Sequence, residues 1–198
     1  MSSKFIITLL LSGLCLFSSY FANAQTNVNA EVKRIEIINT ILNGRDEIKA
    51  CVGDGYEENA SQELSQIYKL PNNNYLVQLV CFMAAYQPVQ EFYLYEEKPN
   101  GKKAIVASLD LQGLHKNKKG QLIKTKYRAI AGLINYKDET KTLSIWTKDR
   151  GLGDCGTFST YKLENEKLVL QELKQKNNCD EEYTEPENYL SIFSKFQE

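Results

Sequence analysis

Two aspartates, one arginine and a set of widely spaced cysteines carry most of the chemistry this sequence offers. Asp149 and Asp154 bracket Arg150-Gly151-Leu152-Gly153, and Cys155-Gly156 follow directly. A pair of carboxylates is what glycoside hydrolysis requires, one as acid and one as base or nucleophile. The same letters serve a plainer purpose, because an aspartate in a glycine-rich turn accepts backbone N–H groups. The sequence favours that structural role for Asp154. His115 is the only histidine, and it sits among lysines in a polar turn, so a Ser-His-Asp triad has little to build on. No phosphate loop, dinucleotide fingerprint, hydrolase elbow or zinc helix occurs. The expectation is a non-enzymatic protein with no cofactor and no bound metal. Hydrolysis by Asp149 and Asp154 is the alternative.

The cysteines speak to compartment. Of the five, Cys15 lies in an apolar run from Phe5 to Phe17, preceded by Lys4 and followed by Ala22-Asn23-Ala24. That is the pattern of a signal peptide cut before Gln25. The apolar run is too short to span a bilayer, which takes roughly 20 residues. Leu14 before Cys15 argues against lipidation. No second apolar run is long enough to cross. Cys51, Cys81, Cys155 and Cys179 remain, an even number in an exported chain, which reads as two disulfides. Zinc is the weaker reading, since no C-x-x-C occurs and one histidine is on offer. A periplasmic or secreted protein follows. The formal net charge of −1 becomes one unit more negative when Lys4 leaves with the signal, and nothing in that balance suits nucleic acid.

The elements that must position these groups are mostly strands. Asn29 to Leu42 is the exception, an amphipathic helix with Val32, Ile35, Ile38, Ile41 and Leu42 as its stripe and Gly44 placed to end it. From Ser65 the period turns to two. Gln66 to Leu70, Tyr75 to Met83, Phe92 to Tyr95 and Ala104 to Leu111 read as strands. Ile130 to Tyr136 and Thr142 to Lys148 form a hairpin around Lys137 to Lys141. Between Leu111 and Lys137 there is no acid, while Lys116, Lys118, Lys119, Lys124, Lys126, Arg128 and Lys137 are basic; a solvated face is expected there rather than a polyanion site. Asp180 to Glu187 is read as solvated acid rather than a calcium loop. Thr184, Pro186 and Glu187 make a capping pattern ahead of Tyr189, Ile192, Phe193 and Phe196, which predicts a short C-terminal helix.

Thr157 to Leu163 and Leu168 to Lys174 form a second hairpin. With Leu163 opposite Leu168, Cys155 faces Lys176 and Cys179 lies a few residues on. Antiparallel pairing therefore favours Cys155–Cys179 and leaves Cys51–Cys81. A weak internal echo links Tyr68-Lys69-Leu70 and Cys81 to Tyr161-Lys162-Leu163 and Cys179.

Leu79-Val80-Cys81-Phe82-Met83-Ala84-Ala85-Tyr86-Gln87 and Arg150-Gly151-Leu152-Gly153-Asp154-Cys155-Gly156 with Cys179-Asp180 resemble an exported bacterial family catalogued only as a domain of unknown function. Thr147 to Arg150 and the Tyr161 to Leu170 hairpin resemble its shorter, cyanobacterial-type members. The resemblance covers roughly 51–189. It implies export and supplies no activity. The full expectation is a signal peptide over 1–24 and one disulfide-stapled domain over 25–198. Its class is α+β and β-dominated, with antiparallel sheets, an N-terminal helix and a short C-terminal one. The function expected is a binding or inhibitor-type module for a protein or cell-envelope glycan, with Arg150, Asp154 and Tyr86 as contact residues. For Tyr86 the competing role is an aromatic at the edge of the core.

Overall fold

The structure is a computed structural model that describes residues 28–53, 55–98 and 104–195. The expected signal peptide lies outside the described residues. Helix α1 spans 28–43, and α2 (Arg45–Ile48) and α3 (Glu58–Leu64) follow. Among the described residues twelve strands then build two sheets. The first takes β1 (Gln66–Lys69), β2 (Asn74–Met83), β3 (Pro88–Glu96) and β4 (Ile105–Leu109) in that order, with β7 (Ala129–Ala131) also on β3. The second runs β6 (Leu122–Tyr127), β5 (Leu111–Lys116), β11 (Lys167–Lys176), β10 (Gly156–Glu164), β9 (Thr142–Lys148), β8 (Leu133–Lys137), with β12 (Leu190–Ser194) on β11. Among the described residues every pairing is antiparallel except a parallel contact of β5 with β11 at Leu111 and Leu168. Among the described residues no helix is long and apolar enough to cross a membrane.

Three layers result. One core lies between the sheets, with Leu76, Phe92, Leu94 and Leu109 from the first against Leu143, Ile145, Tyr161, Leu168 and Leu170 from the second. The alternate residues of β2 and β3 point the other way, where Tyr75, Val77, Leu79, Tyr93 and Tyr95 meet Ile37, Ile38 and Ile41 of α1. A central strand covered on both faces is apolar at nearly every position, which is how β2 reads in sequence.

Two strands pass from one sheet into the other. The chain leaves β4 at Asp110 and enters β5, and it leaves β7 at Gly132 and enters β8. Such switches close the corner of a sandwich. Gly132 sits at φ +156°, and a Cβ there would lie 2.8 Å from Ile145 Cγ2 and 2.9 Å from the Trp146 carbonyl oxygen. The stretches Ala104–Leu111 and Ile130–Tyr136, read as single strands, are therefore each two.

Other expectations shift. The stripe of α1 rotates: Ile37, Ile38 and Ile41 are buried, while Val32 and Ile35 are exposed, so sheet contact is confined to the helix's second half. Polar bonds hold the first half. Lys33 Nζ reaches Glu97 at 2.7 Å, and Arg34 Nη1 donates to the Gln62 and Ser65 carbonyls at 2.8 and 2.9 Å. Gly44 does not end the helical region, for its φ is −94° and α2 follows; the left-handed residue is Lys49, at φ 54°.

The expected C-terminal helix is not formed. Pro186–Asn188 make one 3-10 turn, and Leu190–Ser194 pair with β11 as a strand. A register shift between Leu173 and Lys174 accompanies a break in side-chain alternation. Ile192 and Phe193 both pack on the core as a result, which mimics helical spacing.

Candidate functional site

The loop between β9 and β10, residues 149–155, is closed on itself by the Asp149 N–H to the Cys155 carbonyl at 3.2 Å and the Gly153 N–H to the Arg150 carbonyl at 3.1 Å. Gly153 takes φ +71° and Gly156 φ +150°. At Gly156 a Cβ would fall 2.2 Å from the Thr147 carbonyl oxygen, so the close strand approach after Cys155 requires glycine.

Arg150 and Asp154 do meet, as a fork. Arg150 Nε donates to Asp154 Oδ1 at 2.8 Å, and Nη2 donates to Oδ2. The same Nη2 donates to the Cys179 carbonyl at 3.0 Å, and the Glu181 N–H donates to Asp154 Oδ2 at 2.6 Å. Asp154 is 2% exposed. The Arg150 guanidinium, aided by the Glu181 N–H and opposed by desolvation, holds its carboxyl well below the usual range. Both its oxygens are already taken by Arg150 and the Glu181 N–H, which leaves neither free to approach a substrate as base or nucleophile. Asp149 is exposed, and its described bonds are those of its main chain. Asp154 is thus committed to Arg150 rather than held free beside Asp149.

Tyr86 joins the same loop, its hydroxyl donating to the Asp149 carbonyl at 2.9 Å. Gln87 locks the base of the loop, accepting from the Lys148 N–H at 2.9 Å and donating to the Lys148 carbonyl at 3.2 Å. From the third side Tyr189 reaches the Gly153 carbonyl at 3.5 Å. Tyr183 stands edge-on to Trp146 at 6.4 Å, and Lys148 Nζ lies 5.2 Å from the Trp146 ring centre. Cys155–Cys179, closing 24 residues, ties the loop to the segment after β11.

The base of this site is rigid and its apex bare. Leu152 is 67% exposed, Tyr183 57% and Tyr86 40%. Reading the sequence for titratable groups missed Leu152 and Tyr183. The available signal was an aliphatic residue between two glycines, and an aromatic inside an acidic run.

A second cluster was also missed. Arg128, read as one of a basic run, instead donates to Glu91 Oε2 at 3.2 Å and to the Tyr93 hydroxyl at 3.1 Å. Burial, then Glu91, pushes the Tyr93 hydroxyl well above its ordinary value. A Glu91 oxygen and the sulfurs of Cys51 and Cys81 lie within 4.8 Å of one another, but the sulfurs are joined as a disulfide and offer no thiolates. Lys118, Lys119, Lys124 and Lys126 of the basic run are exposed.

Fold and site define a doubly stapled α/β/β sandwich that presents a braced loop at one end. The family model described as "Protein of unknown function (DUF1176)" matches residues 20–190, and the chain belongs to that family. No curated protein and no solved structure matches.

Proposed function

We propose that this protein is an exported, non-enzymatic binding module of inhibitor type that engages an envelope protein through the apex of the 149–155 loop. The observation that carries the reading is Leu152, a large aliphatic side chain 67% exposed on a loop braced by a disulfide, a buried ion pair and Gln87. A rigid loop loses little entropy on binding, and a protruding anchor beside tyrosine and arginine has the makeup of an interface hot spot. In this reading Arg150 and Tyr86 flank the anchor, and Asp154 acts by holding Arg150. Export rests on the signal-peptide pattern and on two disulfides, with cleavage after Ala24 and kinship to the shorter, cyanobacterial-type members.

Glycan binding is the second reading, because Tyr86 and Tyr183 give exposed aromatic faces on which a sugar can stack. Wild type, Leu152→Asp and Tyr86→Ala, immobilised and matched in melting temperature, separate the two. A periplasmic partner retained by wild type and lost with Leu152→Asp supports the protein reading. Retention of purified cell-wall glycan, lost with Tyr86→Ala and kept by Leu152→Asp, replaces it with the glycan reading. Turnover of that glycan, abolished by Asp149→Asn, would establish the hydrolase alternative.

A further inference from the structure

Glu91 is the buried titratable group that the loop site does not use. It is 4% exposed, and its two donors, Arg128 Nε and the Tyr93 hydroxyl, both reach Oε2. Among the described residues no donor reaches Oε1. Arg128 is itself fixed, its Nη2 donating to the Ile48 and Lys49 carbonyls at 3.1 and 3.3 Å. The carboxylate is thus held in one pose with one oxygen unspent.

That carboxylate lines an open-mouthed pocket of about 290 Å³ at the Cys51–Cys81 staple. Val52, Tyr56, Phe82, Val89 and Ala129 supply the walls, and among the described residues that line it Glu91 is the only charged side chain. Oε1 is not among the buried polar atoms cut off from any partner, so it faces the pocket's mouth, where an ammonium group can take the place of water with a charge-assisted hydrogen bond. The positive charge of Arg128 does not forbid a second cation. Its side chain is 37% exposed and bonded to two carbonyls, so that charge is shared with water and main chain.

We propose that this pocket binds a small ligand with a primary ammonium head, donated to Glu91 Oε1, and a short apolar body set against Phe82 and Val89. A free aliphatic amine and the amino terminus of a peptide share this chemistry. The site is independent of the 149–155 loop, and either can fail alone.

The test is titration of the full, oxidised protein followed by its backbone amide resonances. The probes are n-butylamine and valinamide, with 1-butanol, butyrate and N-acetylvalinamide as controls. Both amines are expected to shift the amides of Phe82, Val89 and Glu91 saturably, with Kd on the order of 1 mM for ligands this small. Saturation by butylamine alone assigns the site to free amines, and saturation by both extends it to peptide termini. Ala129 is exposed and pairs with Glu91 across the strands, so Ala129→Phe puts a ring into the pocket while leaving the carboxylate in the chain. That variant is expected to weaken binding at least about tenfold, as is Glu91→Gln, the loss of one charged hydrogen bond. No saturable shift with either amine, equal shifts with the controls, or shifts unchanged in Ala129→Phe would overturn the proposal.

Discussion

Asp154 is buried yet ionised, and Arg150 is the reason. A carboxyl whose value is depressed in the native state contributes stability above its ordinary value of 3.8. That contribution drains as pH falls from there toward the native value, because the unfolded chain takes up the proton first. Asp154→Asn is therefore expected to unfold at lower urea than wild type at pH 7. The difference should shrink steadily between about pH 4 and pH 2 as the wild type loses its advantage. Urea midpoints across that range check this, and a gap independent of pH would show that Asp154 acts by shape alone.

The two disulfides differ in kind, one tying a loop to a strand of the first sheet and the other closing the open end of a hairpin in the second. Cys51–Cys81 spans 30 residues and holds the segment before α3 to the end of β2, and Cys155–Cys179 spans 24 and joins the two chains leaving β10 and β11. Loop-closure entropy assigns each about 3.5 kcal/mol, nearly equal because the dependence on loop length is logarithmic. Paired Cys→Ala variants are expected to lose about that much in equilibrium unfolding. Only loss of Cys155–Cys179 should also free the 149–155 loop, read as faster amide exchange at Arg150 to Gly153. Much at this scale was legible. Apolar runs and strand-length pattern between turn signals gave β1, β2, β9, β10 and β11, and counting back from Leu163 opposite Leu168 gave the pairing of Cys155 with Cys179. The count itself slips by one between Thr160 and Tyr161, within the reach of the cysteines. Less was legible where tertiary geometry overrides local pattern. A register shift turned Ile192 and Phe193 to one side and counterfeited a helix, and no local signal told that Gly132 passes a strand between sheets. At the site, Arg150 and Asp154 meet across a local glycine turn, whereas Tyr86 reaches the Asp149 carbonyl from the β2–β3 connection, 63 residues away. The Glu91, Tyr93 and Arg128 cluster stayed hidden because its members come from β3 and from the residue before β7, joined only by folding.

At the scale of the whole molecule, α1 decides whether the first sheet is a protected layer or an open face. Ile37, Ile38 and Ile41 are 0%, 1% and 0% exposed, and beneath them lie Val77, Leu79, Tyr93 and Tyr95. Neither disulfide ties this helix down, since the first bridge begins at Cys51. Packing and the bonds of Lys33 and Arg34 must hold it. A buried isoleucine cut to alanine costs about 3 kcal/mol in transfer and cavity terms, so Ile38→Ala should lower stability by that amount with both disulfides intact. Replacing Ile37, Ile38 and Ile41 together by serine goes further, because three polar groups then face an apolar sheet without partners. The expected product keeps the core between the sheets and its strand circular dichroism, exposes the outer face of β2 and β3, binds a hydrophobic dye and self-associates. A triple variant that stays monomeric and dye-silent would mean that the first sheet tolerates water on that face. The helix would then be an accessory to a two-sheet protein rather than its third layer.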